Sequence, residues 1–104
     1  MIFALLLLLP LSLDLHVSPT VGMGPLVARV SVTVEPSDLN HQLCIEWTSE
    51  NYSGSSCQSI NGAKFARTTN QLLGLTSGDY TFQATLHRSD GHDIHSPRVE
   101  VHVQ

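Results

Sequence analysis

Leu75-Thr76-Ser77-Gly78-Asp79-Tyr80-Thr81-Phe82-Gln83-Ala84-Thr85-Leu86 decides the fold of this 104-residue chain. A turn segment ending in Gly78 leads into Tyr80, and strict alternation of apolar and polar residues begins there. Period two is the period of a strand with one buried face and one wet face. Tyr80, two residues after the glycine, is placed as a corner tyrosine, whose ring packs inward while its hydroxyl bonds nearby backbone. The stretch predicts a small antiparallel β-sandwich. Sandwiches host many unrelated functions, so this fixes architecture and not activity.

Working outward, a two-residue turn at Asp90-Gly91 sets Phe82 opposite Val99, Tyr80 opposite Val101 and Ala84 opposite Pro97. The apolar residues of both strands then share one side, and Gln83/Arg98, Thr81/Glu100 and Asp79/His102 share the other. A slip by one residue inverts the whole set. In the same register His87 falls on the outer face opposite Ile94, and His95 falls beside Leu86 on the inner side or the rim. Upstream, Leu26 to Glu35 alternates with Ala28, Val30, Val32 and Val34 on one face, until Pro36-Ser37-Asp38 breaks the pattern. Leu43, Ile45 and Trp47 share an inward face, with Cys44 and Glu46 pointing outward. The run Glu50-Asn51-Tyr52-Ser53-Gly54 is a turn signal, and a hairpin centred on Glu50-Asn51 places Cys44 directly opposite Cys57. Asn61-Gly62 is a further turn signal. A short edge strand is expected around Phe65 to Thr69, and another at Gln71-Leu72-Leu73.

The pattern Leu43-x-Ile45-x-Trp47, then Leu75-x-x-Gly78-x-Tyr80-x-Phe82, then Asp90-Gly91 and Val99-x-Val101-x-Val103, resembles a fibronectin type III or related immunoglobulin-like domain over residues 26–104. The resemblance implies an all-β, antiparallel immunoglobulin-like sandwich of about seven strands, with Trp47 in the core of one strand. Two departures stand out. The middle, from Tyr52 to Asn70, is shorter and more Ser-rich than usual, and a Cys44–Cys57 bridge is not standard in that family. The closing turn reads Arg88-Ser89-Asp90-Gly91 and not Arg-Gly-Asp, so integrin binding does not carry over. No Trp-Ser-x-Trp-Ser box is present either.

The first residues are of another kind. Met1 to Leu13 is almost wholly apolar and is ended by Asp14 and His16. A spanning helix needs about 20 apolar residues, whereas a secretory signal core takes about 7–15. No Lys or Arg precedes the run, and tolerable small residues place the cut after Thr20 or Gly22. The expected division is a signal peptide (or retained signal anchor) at 1–22 and one sandwich domain at 23–104, with Pro19 to Pro25 as linker. About 80 residues make one domain with a marginal core, so a covalent staple matters. Two cysteines in an exported chain favour a disulfide, and a loop of that size is worth about 3 kcal/mol in the chain-entropy account.

Formal charge is −4 with 13% charged residues, and the five cations Arg29, Lys64, Arg67, Arg88 and Arg98 are scattered. Nucleic-acid and anionic-membrane partners need clustered cations, so both are excluded. Six histidines invite a metal site near the last hairpin, but the register spreads His87, His92 and His95 over different faces. Ser96, His95 and Asp93 are sequence neighbours on an extended strand, which alternates sides and cannot build a nucleophile–base–orienter triad. Glu46 and Glu50 read as solubilising surface, and Trp47 as core. Asn51-Tyr52-Ser53 is a glycosylation sequon that has meaning only in a eukaryote.

The sequence therefore reads as an exported, non-enzymatic module that needs no cofactor. Its expected partner is another extracytoplasmic protein or a surface polymer, met through the loop tips Glu50–Ser55 and Arg88–His95. Tyr52, His87, Arg88, Asp90, His92 and His95 are the candidate binding residues. A carbohydrate- or metal-binding module is the first alternative, and it requires Tyr52 or the histidines to converge with a second loop. The second is a structural subunit assembling by strand addition at an edge near Leu26–Glu35 or Lys64–Asn70.

Overall fold

The period-two segments pair into two sheets packed face to face. A computed structural model describes residues 13–50, 52–61 and 68–104, with backbone alone for 68–72. Its strands are β1 (Leu13–Ser18), β2 (Val21–Gly22), β3 (Leu26–Val34), β4 (Asn40–Thr48), β5 (Ser53–Ser59), β6 (Thr68–Leu75), β7 (Gly78–Arg88), β8 (Ile94–His95) and β9 (Val99–Val103). One sheet has the order β1-β3-β6 and the other β2-β9-β7-β4-β5, with β8 also on β7. Among the described residues the two sheets form the expected antiparallel sandwich, with six strands longer than two residues between Leu26 and Val103 and a seventh, β1, ahead of them.

The faces are those that the alternation assigns. Ala28, Val30, Val32 and Val34 of β3 meet Leu43, Ile45, Trp47, Tyr80, Phe82, Ala84, Leu86, Val101 and Val103 from the opposing sheet. Trp47 stacks on Phe82 with ring centroids 6.2 Å apart. Of the last hairpin, the expected register holds for Phe82↔Val99 and Tyr80↔Val101.

Beyond Phe82 that register slips by one. Leu86 pairs with Ile94 and Thr85 with His95, so Ala84 does not face Pro97. Pro97 has no N–H to give the ladder. Ser96 serves Ala84 instead: its N–H donates to the Ala84 carbonyl (2.9 Å), and its Oγ accepts from the Ala84 N–H (2.9 Å). His95 consequently lies on the outer face beside Thr85, and not on the inner side beside Leu86.

The N-terminal layer differs most from expectation. β1 pairs with β3 from Leu13↔Val34 to Ser18↔Arg29, and buries Leu13 and Val17. β2 runs parallel to β9, so the expected linker is held down. The His102 N–H donates to the Thr20 carbonyl (2.7 Å), that of Gln104 to Gly22 (2.8 Å) and that of Gly24 to Gln104 (2.7 Å). A boundary after Gly22 passes through this layer. The cause is legible: Leu13-x-Leu15-x-Val17 has period two, but it abuts an apolar run that hides the alternation. β3 is therefore an interior strand, and Leu26–Glu35 offers no edge. The edge strand expected at Phe65–Thr69 lies mostly outside the described residues. Its last two residues join Gln71-Leu72-Leu73 in the single strand β6.

Candidate functional site

Strand direction decides which loops meet. β4 pairs antiparallel with β7, Thr48 facing Thr81 and Asn40 facing Arg88. The β4–β5 turn therefore sits beside the start of β7, and Arg88–His95 at its far end. At about 3.3 Å per residue, the eleven residues of β7 separate the two sets by roughly 30 Å. Tyr52 and the group His87, Arg88, Asp90, His92, His95 thus occupy opposite ends of the sandwich and form two surfaces.

At the Tyr52 end, the Ser49 N–H donates to the Tyr52 carbonyl (2.6 Å), closing the hairpin. The Tyr52 side chain is left 56% exposed. The facing turn is set by Gly78, whose φ of 148° suits a residue without Cβ. It is pinned by the buried Tyr80, whose hydroxyl donates to the Thr76 carbonyl (3.0 Å). This is the corner arrangement that the sequence predicts. Between the turns lies a cleft of about 430 Å³ lined by Ser49, Glu50, Tyr52, Thr76, Ser77, Gly78, Asp79 and Tyr80. On the other side of Asp79 a second cleft, of about 380 Å³, is lined by Thr20, Val21, Thr81, Glu100, Val101 and His102. The Asp79 carboxylate that separates them is paired with His102 Nδ1. Neither lining contains a Lys or Arg.

At the opposite end two of the histidines, His87 and His92, are each tied to an acid. His87 Nδ1 lies 3.1 Å from Asp93, and His92 Nδ1 lies 3.5 Å from Asp90. Arg88 reaches Asp90 at 3.9 Å. The His92 backbone N–H, which donates to Asp90 Oδ1 at 2.9 Å, is the main cause holding the Asp90 carboxyl below its ordinary value, helped by the Arg88 charge. Among the described residues no three His, Cys, Asp or Glu side chains converge as metal ligands. Asn51, the sequon residue, lies outside the described residues.

Between the two ends, the outer face of the larger sheet carries a polar chain. The Thr85 hydroxyl donates to Glu46 Oε1 (3.0 Å) and lies 3.0 Å from His95 Nδ1. A hydroxyl has one proton to give. The contact with His95 therefore runs the other way, with the proton on Nδ1. Ser96 is buried, and its Oγ donates to the Pro97 carbonyl (2.9 Å); its bonds hold the strand and do not reach His95. Cys44 and Cys57 face each other across β4–β5 and are joined.

No protein-family model and no curated protein sequence matches the chain. Solved structures do. The fibronectin(III)-like modules of Clostridium thermocellum CbhA align over 88% of this chain and 94% of theirs, at 24% identity and a TM-score of 0.56. The chain has a fibronectin type III-like fold. A myokine structure aligns over 90% of this chain and 97% of its own, at 14% identity and the same TM-score of 0.56. In this fibronectin type III-like domain the sequence located Tyr52 and the hairpin-tip residues, but it did not connect Tyr52 with Thr76, Ser77 and Asp79. One signal was available for half of that connection. The corner tyrosine fixes the turn from Thr76 to Gly78 at one end of the sandwich, though not which other turn shares that end.

Proposed function

We propose that the chain is an exported, non-enzymatic contact module that meets another extracytoplasmic protein or a surface polymer through its Tyr52 end. The observation that carries this reading is the exposed Tyr52 ring converging with the Thr76–Gly78 turn over an open cleft. An amphipathic aromatic beside a closed hairpin supplies a large contact area with a polar tip. Loops positioned by a stiff scaffold are where binding residues concentrate. The fibronectin type III-like fold is common in interaction modules, and the Cys44–Cys57 bridge is a feature of oxidising compartments.

The test is capture of the partner by the chain displayed in its own host, with Tyr52→Ala as the comparison. Loss of capture with unchanged thermal unfolding supports the reading; equal capture by the variant overturns it. The chain's mass with and without reduction, and the site where its leader ends, decide the export part.

A carbohydrate-binding role is the second reading. It needs Tyr52 to converge with a second loop, and the cleft meets that requirement with hydroxyls and carboxylates around the ring. Titration with soluble glycans, followed by chemical shifts at Tyr52 and Ser77, separates it from protein contact.

A further inference from the structure

We propose that β5 is a self-pairing edge, and that two copies of this chain join through it into one continuous sheet. This goes beyond the contact role of the Tyr52 end and does not depend on it.

β5 is the last strand of the larger sheet, paired with β4 on one side only. Its backbone phase follows from two observations. The Ser49 N–H···O=C Tyr52 bond closes the hairpin, so Ser49 and Tyr52 form a hydrogen-bonded pair. Alternation along an antiparallel ladder then makes Thr48/Ser53, Glu46/Ser55 and Cys44/Cys57 non-hydrogen-bonded pairs. The Cα separation of 4.0 Å between Cys44 and Cys57 agrees, since non-hydrogen-bonded pairs are the close ones. Gly54 and Ser56 therefore spend their backbone groups on β4. Ser53, Ser55, Cys57 and Ser59 turn theirs outward, where no described strand meets them.

Natural edges are normally guarded by charge, proline, a bulge or brevity. Of the other edges, β1 carries Asp14 and His16 and is followed by Pro19, β2 has two residues, and the uncharged β6 lacks the covalent tie to its neighbour that β5 has. β5 reads Ser-Gly-Ser-Ser-Cys-Gln-Ser, seven residues with no charge and no proline, and its register with β4 is unbroken. The disulfide fastens it to β4, so little order has to be gained when a partner arrives.

The occupant that fits is a second copy. An antiparallel two-fold centred on Ser56 sets Ser53 opposite the second copy's Ser59 and Ser55 opposite its Cys57. All four outward-facing residues then meet outward-facing residues. The contact is isologous and closes as a dimer. Small side chains line both faces, and no like charges are opposed within the strand. Glu46, the nearest acid in register on the outer face, would lie three strand spacings from its copy, about 14 Å, beyond the roughly 8 Å screening length at physiological salt.

The experiment uses the full chain, wild type against Ser55→Pro and Ser55→Lys, by light scattering over a concentration series together with amide exchange. Ser55 does not give its N–H to β4, so proline there spares the β4–β5 ladder while blocking the edge. Lysine guards the edge without touching backbone geometry, should the proline variant unfold. The expected result is a mass that doubles with concentration in the wild type and stays single in both variants. Exchange at Ser53, Ser55, Cys57 and Ser59 slows as the dimer forms, while Gly54 and Ser56 do not change. Residues 1–12 are common to all three chains, so association through them would persist in the variants. A single mass at every concentration overturns the proposal, as does doubling that survives both substitutions. Pairing of β5 only with a foreign strand from the host would overturn the assignment of a second copy.

Discussion

Gly54→Ala tests the packing between hairpin and core. A Cβ built on Gly54 falls 2.8 Å from Cε2, Cζ2 and Nε1 of the Trp47 indole. Ordinary carbon contacts lie near 3.5–4.0 Å, so ring or strand must move by roughly 1 Å. The ring has little room: Trp47 is 7% exposed and rests on Phe82 at an interplanar angle of 30°. Overpacking of this kind costs about 1–3 kcal/mol, and the stiffer unfolded chain returns about 0.4–1 kcal/mol. The net expectation is a loss of about 1–2 kcal/mol, or a melting point lower by about 5–15 °C in a domain this small. Gly74→Ala is the control, because a Cβ there meets nothing within 4 Å, and its stability should stay within about 0.5 kcal/mol of wild type. Urea titration followed by fluorescence of Trp47, the single tryptophan, measures both variants and reports indole displacement in the first. Equal midpoints for the two variants would refute the claim that Gly54 is glycine because the indole lies against it.

Tyr80→Phe keeps the ring and removes the hydroxyl that donates to Thr76. Chemical denaturation should show a loss of about 1–2 kcal/mol, and an unchanged midpoint would mean that the corner bond holds nothing. Val17→Ala should lower stability by about 2 kcal/mol, because Val17 of β1 is only 5% exposed. No loss at all would show that residues 13–18 stand outside the folded unit. Asp90 is held as carboxylate by the His92 N–H. A depressed value in the fold stabilises above the ordinary carboxyl range and loses that contribution as pH falls through the depressed value. Side-chain titration by NMR should therefore give Asp90 a midpoint below that of the unfolded chain, and a midpoint at or above it would contradict the Asx bond.

Much of the fold was legible because the evidence is local. Alternation in Leu26–Glu35 and Tyr80–Leu86 sets the buried faces, Gly78 with Tyr80 sets the corner, and the spacing of Cys44 and Cys57 around one turn sets their register. The failures are equally specific. β1 was hidden because Leu13, Leu15 and Val17 continue an apolar run whose length suits a leader. β2 has two residues and gains its bonds from β9, 81 positions away in sequence from Val21 to His102, which no window detects. The slip at Ala84 follows from the missing N–H of Pro97 and the reach of Ser96, but the turn that precedes it masks the offset. Whether Tyr52 shares an end with His87–His95 depends on β4 pairing with β7, a long-range choice. The clefts around Asp79 are products of that choice.

The arrangement of β2 against β9 has a mechanical consequence. Leu13 lies at the Val34 end of the sandwich, and Gln104 lies at the other end beside Gly24. Tension applied between Leu13 and Gln104 therefore runs along the strands. It drags β2 backward and β9 forward, so the bonds from His102 to Thr20, Gln104 to Gly22 and Gly24 to Gln104 are loaded together in shear and not opened one by one like a zip. The ladder of β1 on β3, from Leu13 to Ser18, takes the same pull in shear, so two ladders share a load applied along the strands.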